Sequence, residues 1–348
     1  MRHLIRVFLP LIAIIIFVRF YFANPPGMQP VGNYPIWLRD SSDRQTEQTS
    51  GLFFIGMYND KKNFISCDDI GKINRIEVDE SQLIPYPNIT PIEFSDEVKT
   101  LFSKFKKIDM EEIVYDKSTN KILLVIEGHE YSSNDPMIYR QKEGVYEMTF
   151  NKDINTFDTL LTIKRISLPK EIYTYTFDNI GFEGFSATKD FFYLGLENFQ
   201  KTDGQFTDST YLYIYDRATD SLKAISTREF EISSISGLYA IGDKTLFGID
   251  RNMKQMFRLD FDEDHNVISS ERKLLDLILP GHKDMANIPG IAPESITVDN
   301  EGAFYVAIDP WLSFYKPDLA QRKLLSDENL FNFKKEVPLL YKFNNEFK

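Results

Sequence analysis

GFEGFSATKDFFYLGLE (181–197) and PESITVDNEGAFYVAID (293–309) share one grammar. A small or acidic residue opens a short apolar strand. A polar turn follows, and a second aromatic or β-branched strand ends on an acid. Such a pair reads as a hairpin. The grammar recurs from the leading residues Ser50, Glu112, Glu183, Ser236 and Glu294. The second strands are NFISCDD (63–69), KILLVIE (121–127), FFYLGLE (191–197), TLFGID (245–250) and FYVAID (304–309). From leading residue to closing acid the spacing is 15, 14, 14 and 15 in the last four copies and 18 in the first.

A third strand with aromatic–polar–apolar alternation follows each time: INRIE (73–77), VYEMT (145–149), LYIYD (212–216), MFRLD (256–260) and LYKFN (340–344). Fourth runs such as LTIKRISL (161–168) and LKAIS (222–226) complete some copies. Four strands recurring roughly every sixty residues predict a β-propeller, in which each sheet is apolar on both faces and buries them against its neighbours around an axis. The fold class is therefore all-β, a propeller of four-stranded blades. Five repeats are visible, and the length leaves room for a degenerate sixth. A sandwich of unrelated hairpins would not explain why one grammar recurs. The last copy lacks a fourth strand before Lys348, and Tyr34–Asp40 (YPIWLRD) is a candidate to supply it. One helix is expected over Ser95–Lys107, with Ser95 as N-cap. Residues 313–336 interrupt the last repeat and suggest a lid or partner loop.

Composition narrows the function. Hydrophobic residues make up 43% of the 348 and aromatics 14%, enough for a packed core and against wholesale disorder. Acids outnumber bases 52 to 40, for a net charge of −12, which argues against a nucleic-acid partner. Cys67 is the single cysteine, so neither an intrachain disulfide nor a cysteine zinc site can form. The histidines at 3, 129, 265 and 282 form no HExxH.

Residues 1–23 open with MRHLIR and continue with the apolar run VFLPLIAIIIFV (7–18), as an export signal or signal anchor does. The basic start predicts an extracytoplasmic domain, secreted or held at the membrane by this segment. Residues 24–33 (NPPGMQPVGN) read as a linker and 34–348 as the propeller domain.

Repetition places like residues in rings. One ring would contain Glu112, Glu183 and Glu294, and a second Asp68, Asp69, Glu127, Glu197, Asp250 and Asp309. Crowded carboxylates raise one another's pKa or demand a cation. Calcium suits such a ring, because it takes about six to eight oxygens in flexible geometry. The alternative is that these acids cap strand ends and accept backbone N–H groups of neighbouring blades. With a metal present, His129 in EGHE (127–130) is a candidate base and Arg251 a candidate anion clamp.

The stretches GFEGFSATKDFFYLGLEN (181–198), PESITVDNEGAFYVAIDP (293–310), SGLYAIGDKTLFGIDRNMKQMFRLD (236–260) and ISCDDIGKINRIEV (65–78) resemble blades of the phytase-like and SdiA-regulated propeller proteins. The resemblance spans roughly residues 50–345. It implies an exported propeller with esterase- or phytase-like activity. The dense phosphate-binding cluster of the calcium phytases is missing as a contiguous motif. Two functions follow as expectations. One is a calcium-assisted hydrolase of a small-molecule ester or phosphoester at the acidic rim. The other is a non-catalytic propeller presenting that rim to a ligand or protein.

Overall fold

The computed structural model describes residues 27–129, 139–198, 208–283, 285, 288 and 290–348. The expected signal or anchor, 1–23, lies outside the described residues. Five antiparallel sheets follow one another along the chain. Blade I holds β2 (Thr49–Tyr58), β3 (Lys61–Asp68), β4 (Ile73–Asp79) and β5 (Tyr86–Pro91). Blade II holds β7 (Asp109–Asp116), β8 (Lys121–Glu127), β9 (Gly144–Phe150) and β10 (Thr159–Arg165), with the two-residue β6 (Glu93–Phe94) parallel to β10 at its edge. Blade III holds β11 (Phe182–Ala187), β12 (Phe191–Leu196), β13 (Tyr211–Asp216) and β14 (Leu222–Ser226). Blade IV holds β15 (Gly237–Ile241), β16 (Thr245–Asp250), β17 (Gln255–Phe261) and β18 (Val267–Leu274). Blade V holds β19 (Ile291–Val298), β20 (Phe304–Pro310) and β21 (Leu339–Phe343). Its fourth strand is β1 (Ile36–Trp37), which pairs Ile36 with Leu340 and Trp37 with Leu339. The innermost strands β2, β7, β11, β15 and β19 touch in cyclic order and close the ring at five blades. The described residues hold no sixth.

The core is divided among the blade interfaces. Ile65, Cys67 and Ile113 meet between blades I and II, and Val114, Leu123 and Phe185 between II and III. Tyr193, Ile235 and Leu246 pack between III and IV, and Phe247, Ile296 and Phe304 between IV and V. Leu52, Phe64, Tyr305 and Leu340 pack between V and I. Inner strands are buried on both faces, as β8 and β20 show, whereas the outermost β14 and β18 are half-buried to exposed throughout. This gradient leaves the fourth strand of each repeat faint in the sequence.

Small residues let the inner strands approach. A Cβ on Gly237 would lie 2.5 Å from the Glu294 carbonyl oxygen of the next blade. One on Gly51 would lie 2.8 Å from Glu112 Cα. At the far end of the axis Phe53 of blade I meets Tyr239 of blade IV, ring centroids 6.1 Å apart. These blades are not neighbours in the ring, so the pair reaches across the axis.

The junction of blades V and I also carries a polar knot. Glu80 accepts from Tyr34 Oη and Tyr305 Oη at 2.7 Å and from Lys342 Nζ at 2.9 Å. The buried Lys62 pairs with Asp299 and with Glu301. The stretch expected as a linker is attached from Met28 onward. Met28 is buried among residues of blades IV and V, and its N–H donates to the Leu274 carbonyl at 2.7 Å. Helix α1 (Asp96–Phe102) is capped by Ser95 as expected, although it ends one turn before Lys107.

The insertion of blade V forms α2 (Leu319–Arg322) and α3 (Asp327–Lys334). Helix α3 packs on the closing strand: Trp37 Nε1 donates to Asn329 Oδ1 at 2.9 Å, and the Trp37 ring meets Phe333 edge-on at 5.4 Å. Trp37→Ala empties this contact and strands the Asn329 acceptor, and should cost about 3–5 kcal/mol in urea unfolding. A loss below about 1 kcal/mol would show that closure does not depend on this contact.

Candidate functional site

In each blade the start of the innermost strand is paired with the end of the second. Asp109 lies opposite Glu127, Thr49 opposite Asp68 and Ala292 opposite Asp309. Both predicted rings of acids therefore lie at one end of the axis. There they line a cavity of about 670 Å³. Eight carboxylates face it: Asp69, Asp109, Glu111, Glu127, Glu183, Glu197, Glu294 and Asp309. Lys107 and Arg251 are its two cations, and Trp311 stands at its lip.

A shared backbone irregularity aims the inner carboxylates. The pairing register shifts between Thr49 and Gly51, Met110 and Glu112, Phe182 and Gly184, and Pro293 and Ser295. The skipped residues are Ser50, Glu111, Glu183 and Glu294, and all four line the cavity. Such a bulge redirects a side chain from the sheet face.

The structure corrects the reading frame of the second repeat. Glu111 occupies the position of Glu183 and Glu294, one residue before the expected Glu112. Glu112 takes the close-packed position of Gly51 and Gly184 instead. Its Oε1 accepts the N–H of Leu52 from blade I at 3.2 Å and that of Ile113 at 3.0 Å. Asp68 and Asp250 are also absent from the lining. Asp68 accepts the Glu47 N–H at 3.0 Å. Asp250 accepts from the Ser233 N–H at 2.7 Å and the Met253 N–H at 3.1 Å. These three acids serve the backbone, while Asp69, Glu127, Glu183, Glu197, Glu294 and Asp309 face the cavity.

The cavity has two sides. On one, Asp109, Glu111 and Glu127 each offer a carboxylate oxygen, all within 4.8 Å of one another. Lys107 Nζ lies 2.7 Å from Asp109 and 3.3 Å from Asp69; His129 is not among the lining residues, but its Nδ1 lies 3.3 Å from Asp109 Oδ2. Among the described residues no cation pairs with Glu111 or Glu127, and Glu127 Oε1 is buried without a hydrogen-bond partner. Burial, reinforced by Asp109 and Glu127, pushes Glu111 well above the usual carboxylate range. Burial, then Asp109 and Glu143, does the same to Glu127. Burial raises Asp69 to about 6 against the pull of Lys107. This trio could hold a divalent cation, which would supply the missing positive charge.

On the other side Arg251 is clasped by three acids from its two neighbouring blades. Its guanidinium lies 3.2 Å from Glu183 and 2.9 Å from Glu294, and it also bonds Glu197. Its Cζ stands 5.7 Å from the centre of the Trp311 ring. The guanidinium engages these carboxylates through Nη1 and Nη2, while its Nε is buried without a hydrogen-bond partner. Asp309 Oδ1 and Glu183 Oε2 are buried without partners.

Sequence reasoning did not find Lys107, Asp109, Glu111, Trp311 or Glu143. Only the bulge, a three-dimensional feature, distinguishes Glu111 from Glu112. Glu143 is buried outside the lining, between blades II and III, where it accepts the N–H of Gly128 at 2.6 Å and that of Phe182 at 3.0 Å.

No family model matches this chain, and no curated protein matches it. Among solved structures it is similar to a glucose dehydrogenase, with a TM-score of 0.43 and 10% identity over 90% of this chain and 100% of that one. The PQQ-bound aldose sugar dehydrogenase of Streptomyces coelicolor gives 0.41 and 9% over 90% and 99%. A streptogramin B lyase gives 0.35 and 10% over 80% and 95%.

Burial raises Glu143 to about 7 although two backbone N–H groups oppose the shift. A carboxyl whose folded pKa is raised stabilises the fold fully below its unfolded pKa, and this contribution is lost as pH rises through the folded value. Between pH 4.5 and 7.5 the wild type should therefore lose of order 3 kcal/mol more stability than Glu143→Gln. Parallel denaturation profiles for the two proteins would refute the assignment.

Proposed function

We propose that this cavity is a divalent-cation site, with calcium as its ion, at which a small-molecule ester or phosphoester is hydrolysed. The reading rests on one observation: Asp109, Glu111 and Glu127 converge within 4.8 Å, and neither Glu111 nor Glu127 has a cation partner among the described residues. A bound ion would polarise the ester oxygen and acidify a water. The chain supplies the rest. His129, held through Nδ1 by Asp109 just outside the lining, would be the base that accepts the proton of the attacking water. The water oxygen bonds to the carbonyl carbon or phosphorus, the ester C–O or P–O bond breaks, and His129 returns the proton to the leaving alcohol. Lys107 holds Asp69 and Asp109 in place.

The basic and apolar residues 1–23 support an extracytoplasmic location, where calcium is plentiful, and the blade-level resemblance to phytase-like propellers agrees with ester chemistry. Fractionation of cells expressing the full chain tests the location.

Calcium titration of the full chain, followed by calorimetry with and without EDTA, tests the site. Calcium at a hundredfold its Kd should add about 2.7 kcal/mol of stability, and Glu127→Gln should abolish the gain. His129→Ala should keep the calcium effect and lower kcat on the responsive ester by about 10²-fold or more. No calcium effect would remove the mechanism. A calcium effect without turnover on any ester or phosphoester would leave the cavity as the rim of a binding propeller.

A further inference from the structure

From the Arg251 side of the cavity we infer that the substrate carries a protonated amine, so that the ligand class is an organic ammonium and not a polyphosphate. This rests on reading the cavity as the reaction site and narrows its substrate.

Four carboxylates, Glu183, Glu197, Glu294 and Asp309, share this side with Arg251. Arg251 is bonded to three of them, and Lys107 is engaged by Asp69 and Asp109. The guanidinium leaves only Nε unpaired, so an anionic group would have to reach that buried atom past four carboxylates, and among the described residues the lining offers no cation besides Arg251 and Lys107. A divalent ion on Asp109, Glu111 and Glu127 leaves the four acids of the Arg251 side unchanged.

An independent observation points to a donor-bearing ligand. Glu183 is 7% exposed, and its Oε2 has no hydrogen-bond partner. Asp309 Oδ1 is likewise buried without one. An unmade hydrogen bond on a buried carboxylate is costly. A primary ammonium brings three N–H donors and a positive charge and no acceptor, which is what these atoms lack. Trp311 adds an aromatic face at the entrance. It is 42% exposed, and cations are attracted to such faces. The volume of about 670 Å³ far exceeds a single ion and accommodates a small organic molecule.

The test is calorimetric titration of the full chain, once with calcium and once with EDTA. The probes are cadaverine, its neutral counterpart pentanediol, and inositol hexakisphosphate. Cadaverine should bind at least about tenfold more tightly than pentanediol, and hexakisphosphate should show no saturable binding. Asp309→Asn should weaken cadaverine about tenfold and Trp311→Ala several-fold. Trp311 is at the rim, so its variant reports even where Asp309→Asn fails to fold. Equal binding of diamine and diol, tighter binding of hexakisphosphate, or unchanged diamine binding in the variants would each overturn the inference. The last result would mean attraction to the acidic surface alone. Cadaverine binding in EDTA without any calcium effect would sink the metal site and keep this inference, whereas calcium binding without diamine preference would do the reverse.

Discussion

The structure depends on closure of the ring by two residues, Ile36 and Trp37, paired with Leu340 and Leu339. A propeller blade has no core of its own; its apolar faces are covered by the blades on either side. The last blade is built from both ends of the described chain, so Tyr34, Ile36 and Leu38 of the N-terminal segment complete the interface that Leu52, Phe64 and Tyr305 form between blades V and I. The sequence invests heavily there. Tyr34, Glu80, Tyr305 and Lys342 form one hydrogen-bonded knot across the junction, and α3 clamps Trp37 from outside. Closure also sets the width of the axis, and hence how near carboxylates from different blades must stand.

Those carboxylates are not distributed evenly, and the unevenness follows from the repeat. Blades II, III and V carry Glu111, Glu183 and Glu294 at the leading position, whereas blades I and IV carry Ser50 and Ser236. In the same two blades the closing acid turns away to bind backbone N–H groups: Asp68 binds that of Glu47, and Asp250 those of Ser233 and Met253. The next residue then faces the cavity, Asp69 in blade I and Arg251 in blade IV. Arg251 is thereby placed between Glu183 and Glu197 of blade III and Glu294 of blade V, its neighbours around the ring. The glutamates of blade II, on the far side, have no such arginine, and this is where Asp109, Glu111 and Glu127 crowd together.

Much of this was legible in the sequence, for a physical reason. The inner strands are buried on both faces, so FFYLGLE and FYVAID are almost uninterrupted apolar runs, and the acid that ends each run marks the rim. Outer strands such as β18 are half solvated and carry little pattern. The site was only partly legible. Asp69, Glu127, Glu183, Glu197, Glu294 and Asp309 follow from the period. Glu111 does not stand out, because the apolar run after Glu112 does not reveal a bulge and two adjacent glutamates satisfy the same grammar. Asp68 and Asp250 end strands in the expected way, yet whether such an acid faces the axis or folds back depends on the following turn. Lys107 and Trp311 belong to connections outside the repeat, where no period constrains them.

The bulge accounts for why chemistry would sit at this end. A strand of regular register would turn Glu111, Glu183 and Glu294 into the blade interfaces, where Glu112 shows the consequence: a carboxyl spent on two backbone N–H groups. Shifting the register by one residue at three inner strands moves three carboxyls to a single wet cup. Phe53 and Tyr239 meet across the axis on the far side of the cup. Carboxylates confined in the cup cannot relieve their repulsion by spreading, because closure fixes the blades. They are relieved by protons, by Arg251 and Lys107, or by a cation that enters through the mouth beside Trp311.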